Sequence, residues 1–409
     1  MRNINIISLF FGAWITIQAI IIICLGDIEQ MRDAYGYMNN ALFCYDNNCL
    51  APSIKECLSE YVQSPGYTNF LIIVYAIFHS FKALMWLNLI MNSVVVYEIY
   101  WLGKYFYTKK VGVIASVLFA LMINNLFVPL HILSELPFLL IGLSGFLFVC
   151  KGRNCDIVIA SILFAIGYTI KPLIYAFFIP AIILLIIRKY NWKSYIAIFF
   201  PYIILLQVYG FKIQQETGVK VTSSTTGGFN LCMSAISPWA DYTVFQEGRF
   251  AYIEKSQKLN VLQKDSIRKT KAIEIILNQP SIFIMNCLKK PFLLFETDSW
   301  AWIGHTPIWN VYNEKLMIIK GKRIRDFSNR IFYHISEIPY RLIMILFLIS
   351  LIRRKNYILS DKGILLLIAL LGIGATCLFH VEYRYHYPYM FVFCIWAASL
   401  FEKTNKTTI

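Results

Sequence analysis

Charge is scarce in this chain. Of its 409 residues only 15% are Asp, Glu, Lys or Arg, while 58% are hydrophobic and 16% aromatic. A soluble globule carries roughly a quarter charged residues, so the composition excludes one of this size. Acid is the scarcer sign, with 23 Asp and Glu against 38 Lys and Arg. That surplus would suit nucleic acid, but no motif of interleaved basic and aromatic residues accompanies it, and no nucleic-acid partner is expected. In a membrane protein such a surplus belongs to cytoplasmic loops. Also missing is any C-x-x-C pair among the 10 cysteines, or any Cys/His spacing of the zinc kind, so no metal-thiolate site is expected. Cys44, Cys49 and Cys57 share one polar stretch, and their odd number leaves a disulfide there unassigned. The run Ser223-Ser-Thr-Thr-Gly-Gly228 lacks a Gly-Lys-Ser context and reads as a flexible loop, not a phosphate cradle.

What the chain has in abundance is apolar runs. Roughly 20 apolar residues cross a bilayer as a helix, and on that scale the chain holds about ten spans. They begin with Ile6 to Leu25, too long for a signal-peptide core and followed by no small-residue cleavage site. Tyr67 to Phe78 is short and reads as a half-buried outer segment. The further spans are Ala83 to Gly103, Val111 to Val128, Ile132 to Cys150, Ile157 to Ile170, Leu173 to Ile187, Tyr195 to Phe211, Leu342 to Ile352, Ile364 to Phe379 and Pro388 to Phe401. Every turn that alternation assigns to the cytoplasm is basic: Lys104 with Lys109 and Lys110, Lys151 with Arg153, Arg188 with Lys189 and Lys193, and Arg353-Arg354-Lys355. The expectation is an all-α polytopic protein of the inner (plasma) membrane with both termini cytoplasmic. Residues 1–211 form a transmembrane module with a first outer loop at 26–66. Residues 212–339 form a larger outer domain of mixed α structure, and 340–409 a second transmembrane module.

The chemistry-bearing residues gather on the outer side. Met31, Tyr35, Met38, Leu42 and Tyr45 recur at helical spacing and predict an interfacial helix that carries Asp33, with Asp27 and Glu29 just before it. Lys171 and Arg384 stand where apolar segments emerge, in loops otherwise poor in cations; snorkelling from a helix end would place them equally well. Glu135 opens a span, where an acid is costly and implies either function or a pairing with Lys171 or Arg384. His386, between Tyr385 and Tyr387, suits a phosphate ligand or an interfacial belt. Asn124 and Asn125 suit acceptor hydroxyls or bonds across helices, and Trp300, Trp302 and Trp309 suit sugar stacking or membrane anchoring.

Asp33, Tyr37 and Ala41 together resemble the D-x-x-x-Y-x-x-x-A pattern in the first outer loop of GT-C glycosyltransferases of the protein O-mannosyltransferase and aminoarabinose-transferase type. Ser64-Pro-Gly-Tyr67 resembles that family's P-G-Y, Ser134-Glu135-Leu-Pro137 its S-E-P/A motif, Thr169-Ile-Lys171-Pro172 its Arg/Lys-Pro turn, and Arg384-Tyr-His386-Tyr-Pro388 its R-Y-x-x-P. The likeness covers roughly the first two hundred residues and the end of the chain. Between them only Pro280 to Phe295 is similar, to the family's amphipathic return helix. Where many members have Asp-Glu, this chain has Asp33-Ala34.

The resemblance implies a GT-C-like bundle of about ten helices that moves a sugar from a polyprenyl-phosphate donor to a glycan, lipid or protein acceptor on the non-cytoplasmic face. It further implies Asp33 as catalytic base, Lys171, Arg384 and His386 on the donor phosphate, and Tyr37, Tyr67, Glu135 and Asp27 shaping the pocket. No protein-held metal is implied; a divalent cation would be accessory to a lone Asp33. Two other readings stay open, a polysaccharide polymerase or ligase and a flippase for lipid-linked sugars.

Overall fold

The computed structural model describes residues 6–26, 30, 32–238, 259–303 and 327–402. Among them every regular element is helical, α or 3-10, and no strand occurs. In order these are α1 (Ile6–Leu25), α2 (Arg32–Asp46), α3 (Ile54–Cys57), α4 (Pro65–Phe78), α5 (Lys82–Phe106), α6 (Lys109–Leu121), α7 (Asn124–Phe127), α8 (Glu135–Lys151), α9 (Asn154–Ile170) and α10 (Tyr175–Ile187). They continue with α11 (Trp192–Thr217), α12 (Gly227–Ile236), α13 (Val261–Asn278), α14 (Pro280–Leu294), α15 (Trp300–Ile303), α16 (Phe327–Arg353), α17 (Gly363–Leu378) and α18 (Met390–Ser399), the last entered through a 3-10 turn at Tyr383–Tyr389.

Several helices are apolar on the outside. Helix α1 buries only Trp14, Gln18 and Ile22, one stripe at a spacing of four, and leaves Ile6 and Ile23 almost bare. On α11, Phe200 and Val208 likewise face outward. Contiguous apolar surface of this kind calls for a nonaqueous surrounding. Among the described residues four helices are long and apolar enough to cross a membrane: α1, α5, α11 and the Tyr333–Arg353 part of α16. A fifth results if the pair Lys109–Leu121 and Asn124–Leu130, bent by 71°, counts as one span. Helices do stand at the other expected spans, but α8, α9, α10, α17 and α18 are shorter than the roughly 20 residues a straight crossing takes.

One expectation is corrected, and two further observations stand beside it. Val111 to Val128 is not one straight span, because Asn124 and Asn125 stop α6 and start α7 at an angle. The backbone groups freed by the break are taken up by side chains, as a low-dielectric interior demands. Trp14 Nε1 donates to Ala120 O at 3.0 Å, Asn92 Nδ2 to Asn125 O at 3.0 Å, and Asn88 Nδ2 to His131 O at 2.9 Å. Second, the boundaries expected after residues 211 and 339 fall inside helices. Helix α11 runs past Phe211 to Thr217, its polar last turns stitched by Lys212–Glu216 at 2.9 Å, and α16 runs through Pro339. A change from apolar to polar residues is a change of surroundings and need not end a helix. Third, the buried face of α2 is Ala34, Tyr37, Ala41 and Cys44. Tyr35, from the expected stripe, is 41% exposed. Small residues bury here because α4 lies close.

The core is aromatic and aliphatic, with Phe138, Phe146, Phe164, Phe177 and Trp396 fully enclosed. Helix α8 packs on α5 and α9, α9 on α11, and α18 on α6 and α16. Helices α12, α13 and α14 pack on one another, with a small core of their own around Cys232, Met233 and Ala272. The start of α2, the start of α8, the end of α9, the start of α12 and the turn before α18 converge on one cavity.

Candidate active site

A cavity of about 510 Å³ opens where these ends meet, within the size range of small-molecule sites. Asp33, Tyr37, Glu135, Lys171 and Arg384 all line it. They come from four separate stretches of chain, and the local reasons differ. Asp33 lies in the first turn of α2, where a carboxylate is favoured by the helix dipole. Glu135 is the first residue of α8 for the same reason. Lys171 ends α9 because Pro172 bars the α conformation from the residue before it, and Lys171 is accordingly extended. Arg384 sits on the 3-10 turn forced by the Tyr-Pro-Tyr that follows.

Their side chains form one ionic cluster. The Arg384 guanidinium donates to Asp33 Oδ2; its Nε lies 2.7 Å from Glu382 Oε2 and 3.5 Å from Glu135 Oε1. Lys171 Nζ donates to Glu135 Oε1 at 2.8 Å. Three carboxylates thus meet two cations, with His380 Nε2 3.2 Å from Glu382 Oε1. Burial alone would raise the Glu382 carboxyl, but the adjacent Arg384 charge, helped by His380 and Lys171, outweighs it and holds the group down to about 2. The cluster is graded in exposure: the Glu135 side chain is 3% exposed, that of Arg384 9%, and that of Asp33 36%. Asp33 is the most exposed carboxylate of the cluster, with Glu382 next at 28%. The second oxygen of Glu135, Oε2, is buried without a hydrogen-bond partner.

The remaining expected residues are placed differently. Tyr37 lines the cavity, its hydroxyl 3.4 Å from Ser64 Oγ. Tyr67 is fully buried behind it, ring edge against ring face at 5.1 Å, and does not reach the cavity. It supports Tyr37, and Gly66 makes this possible, since a Cβ there would meet the backbone carbonyl carbon of Thr169 at 2.8 Å. His386 turns away from the cavity altogether. Its ring is fully enclosed, with Nε2 3.0 Å from Asp298 Oδ1 and the Phe295 and Tyr340 rings packed beside it. The 3-10 turn has three residues per turn, so Arg384 and His386, two apart, point to different sides of it, while Tyr385, Pro388 and Tyr389 line the cavity with Arg384. Asp27 lies outside the described residues, as do Glu29 and Trp309. Asn124 Oδ1 accepts from Ala301 N at 2.7 Å and is committed to the fold.

Sequence reasoning missed Glu382, although a carboxylate two positions before Arg384 in an acid-poor chain was a usable signal. It also missed the neutral polar part of the cavity lining, where Ser224, Thr226 and Asn230 stand with Tyr61 and Phe229. Among the described residues no group of three or more His, Cys, Asp or Glu side chains is arranged to hold a metal ion.

Fold and site together define an all-α protein with helices of membrane-crossing length and a charged cavity at converging helix ends. No family model matches the chain, and no curated protein matches it.

Proposed function

We propose that this chain is an integral membrane glycosyltransferase of GT-C type, with about ten spans, both termini cytoplasmic and its cavity on the non-cytoplasmic side. It takes a sugar from a polyprenyl-phosphate-linked donor and passes it to an acceptor hydroxyl. The observation that carries the reading is the pairing of half-exposed Asp33 with Arg384 inside one cavity that also holds Lys171 and Glu135. Part of that cavity is aliphatic, lined by Leu173 from the 3-10 turn before α10, Ala176 and Ile179 from the start of α10, and Leu371 and Ala375 from α17. A charged end beside an apolar wall suits a phosphate that carries a hydrocarbon tail.

The chemistry asks little more. The bond between the anomeric carbon and the phosphate oxygen breaks through an oxocarbenium-like state. Its electron pair leaves with polyprenyl phosphate, a good leaving group that needs no general acid. Arg384 and Lys171 stabilise the charge gathering on that phosphate. The acceptor oxygen forms the new bond and gives its proton to Asp33. In the resting cluster Arg384 occupies Asp33; a donor phosphate competes for the same guanidinium, so donor binding frees the base. Glu135 and Glu382 hold the cations in place.

The test uses membranes carrying wild type or Asp33→Asn, supplied with polyprenyl-phosphate-linked sugars and the native envelope glycan. Release of polyprenyl phosphate together with labelled glycan by wild type alone is the expected result. Equal release by both proteins would remove Asp33 as base, and no release with any donor would remove the transferase reading.

A further inference from the structure

One part of the cavity lining, outside the ionic cluster, has a composition of its own. Ser224, Thr226 and Asn230 line it with neutral hydroxyl and amide groups, and the Tyr61 and Phe229 rings, 5.3 Å apart, line it beside them. The segment that carries these groups is held firmly. Thr225 bonds the first loop in both directions: Val62 N donates to Thr225 Oγ1 at 2.8 Å and Thr225 N donates to Val62 O at 2.9 Å. With Thr225 turned to Val62 and buried, its neighbours Ser224 and Thr226 are left to the cavity. Two residues on, α12 is seated directly on α13, because Gly228 has no side chain. A Cβ there would stand 2.3 Å from Asp265 O.

The groups held so firmly are nevertheless unused. Among the described residues, the Ser224 and Thr226 hydroxyls and the Asn230 amide have no hydrogen-bond partner; Thr226 stands at the N-cap of α12 without capping it. Fixed donors and acceptors of this kind are what binds a ligand with least loss of freedom. Their chemistry selects the ligand. The Ser224, Thr226 and Asn230 side chains are themselves neutral, so what they offer a ligand is hydrogen bonding and not charge. A hydrocarbon tail would leave the hydroxyls and amide unpaired, which is unfavourable once they are covered. A sugar ring matches both features, with hydroxyls around its edge for Ser, Thr and Asn, and C–H faces for an aromatic ring.

We propose that residues 224–230, with Tyr61, are the acceptor subsite, and that the acceptor is a neutral glycan rather than a lipid or a peptide. This rests on the transferase reading for the word acceptor; the site for a sugar ring does not. The experiment therefore separates binding from turnover. The full-length purified protein is probed by saturation-transfer NMR with the methyl glycosides of glucose, galactose, mannose and N-acetylglucosamine, and in parallel with decanol and a Ser/Thr-rich peptide. Variants Thr226→Val and Asn230→Leu are compared with Thr226→Ser, which keeps the hydroxyl and guards against a folding defect. Wherever donor turnover is found, the Michaelis constants for donor and acceptor are measured as well.

The expected result is saturation transfer to at least one glycoside, lost in Thr226→Val and Asn230→Leu and kept in Thr226→Ser, with an acceptor KM raised tenfold or more and far beyond any change in the donor KM. Glycoside binding that depends on these residues, without turnover of any donor, would keep the subsite and overturn the transferase. Normal donor turnover with acceptor KM unmoved in both variants would overturn the subsite alone. So would binding of none of the glycosides by wild type, or variant-sensitive binding of decanol or the peptide instead.

Discussion

Arg384 and His386 stand two residues apart on one 3-10 turn and serve two unlike ionic centres. Arg384 faces a cavity, outnumbered by carboxylates, one of which is 36% exposed. His386 faces the core, paired with a single Asp298 whose backbone N in turn donates to Glu337 Oε1 at 3.0 Å. Thr297 and Ser299 hydroxyls bond the same Glu337 oxygen, so the inner centre is wrapped in hydrogen bonds. A sealed pair of this kind fixes structure, while an open one with surplus acid and an accessible carboxylate can exchange partners. The difference teaches that the turn does two jobs at once: its inner residue ties it to the 295–299 loop, and its outer residue is thereby presented to whatever enters.

The comparison can be broken most decisively at Asp33. Asp33→Asn should cut transfer by about 10²- to 10⁴-fold, the usual worth of a general base, and leave thermal melting of the solubilised protein nearly where it was. A large fall in melting instead would make the outer centre structural. Arg384→Gln should cost both, since it takes a shared cation from Glu135 and Glu382; about 3–5 kcal/mol of stability is typical when one partner of a buried pair is removed. Denaturation midpoints with and without donor would check it. At the inner centre Asp298→Ala should cost about 1–3 kcal/mol by leaving His386 Nε2 unpaired, with activity per folded molecule falling far less than in Asp33→Asn.

The smallest effects lie in the dependence on pH, and there the two centres should have opposite signs. Glu382 is held down to about 2, despite burial, by the Arg384 charge. Its contribution to stability is present above the ordinary carboxylate range and is lost as pH falls through about 2, so Glu382→Gln should flatten the melting curve on the acid side. Asp298 is pushed up to about 6, burial outweighing His386. Its contribution is full below its ordinary value of 3.8 and is lost as pH rises through about 6. Asp298→Asn should flatten melting between pH about 4 and 6 and leave the acid limb alone. Curves of like sign would mean that the two centres are not distinct.

Much of the open centre was legible because charge is rare in an apolar chain. An acid opening a span or a lysine ending one needs a reason, and Asp33, Glu135, Lys171 and Arg384 prove to supply reasons for one another. The sealed centre was not legible. His386 lies 88 positions from Asp298, and its tyrosine neighbours gave it an interfacial look that hid a core contact. Nor does a run such as Ser223 to Gly228 reveal what it faces, since it has no period from which a side could be read. On α2 the large residues at helical spacing predict an interfacial helix but do not reveal which side meets its neighbour, since Ala34 and Ala41 bury completely where helices touch.

The loop around Asp33 also sets a timetable for biosynthesis. Its fastenings come from far down the chain: Thr225 bonds Val62, Arg268 bonds Glu60 across 208 positions, and Arg384 reaches Asp33 across 351. A ribosome delivers these partners in that order, so the first loop is not fully fastened until nearly all the rest has followed. A chain stalled before the turn at Tyr383–Tyr389 holds the Asp33 carboxylate but lacks Arg384, so partly made copies cannot assemble the ionic cluster.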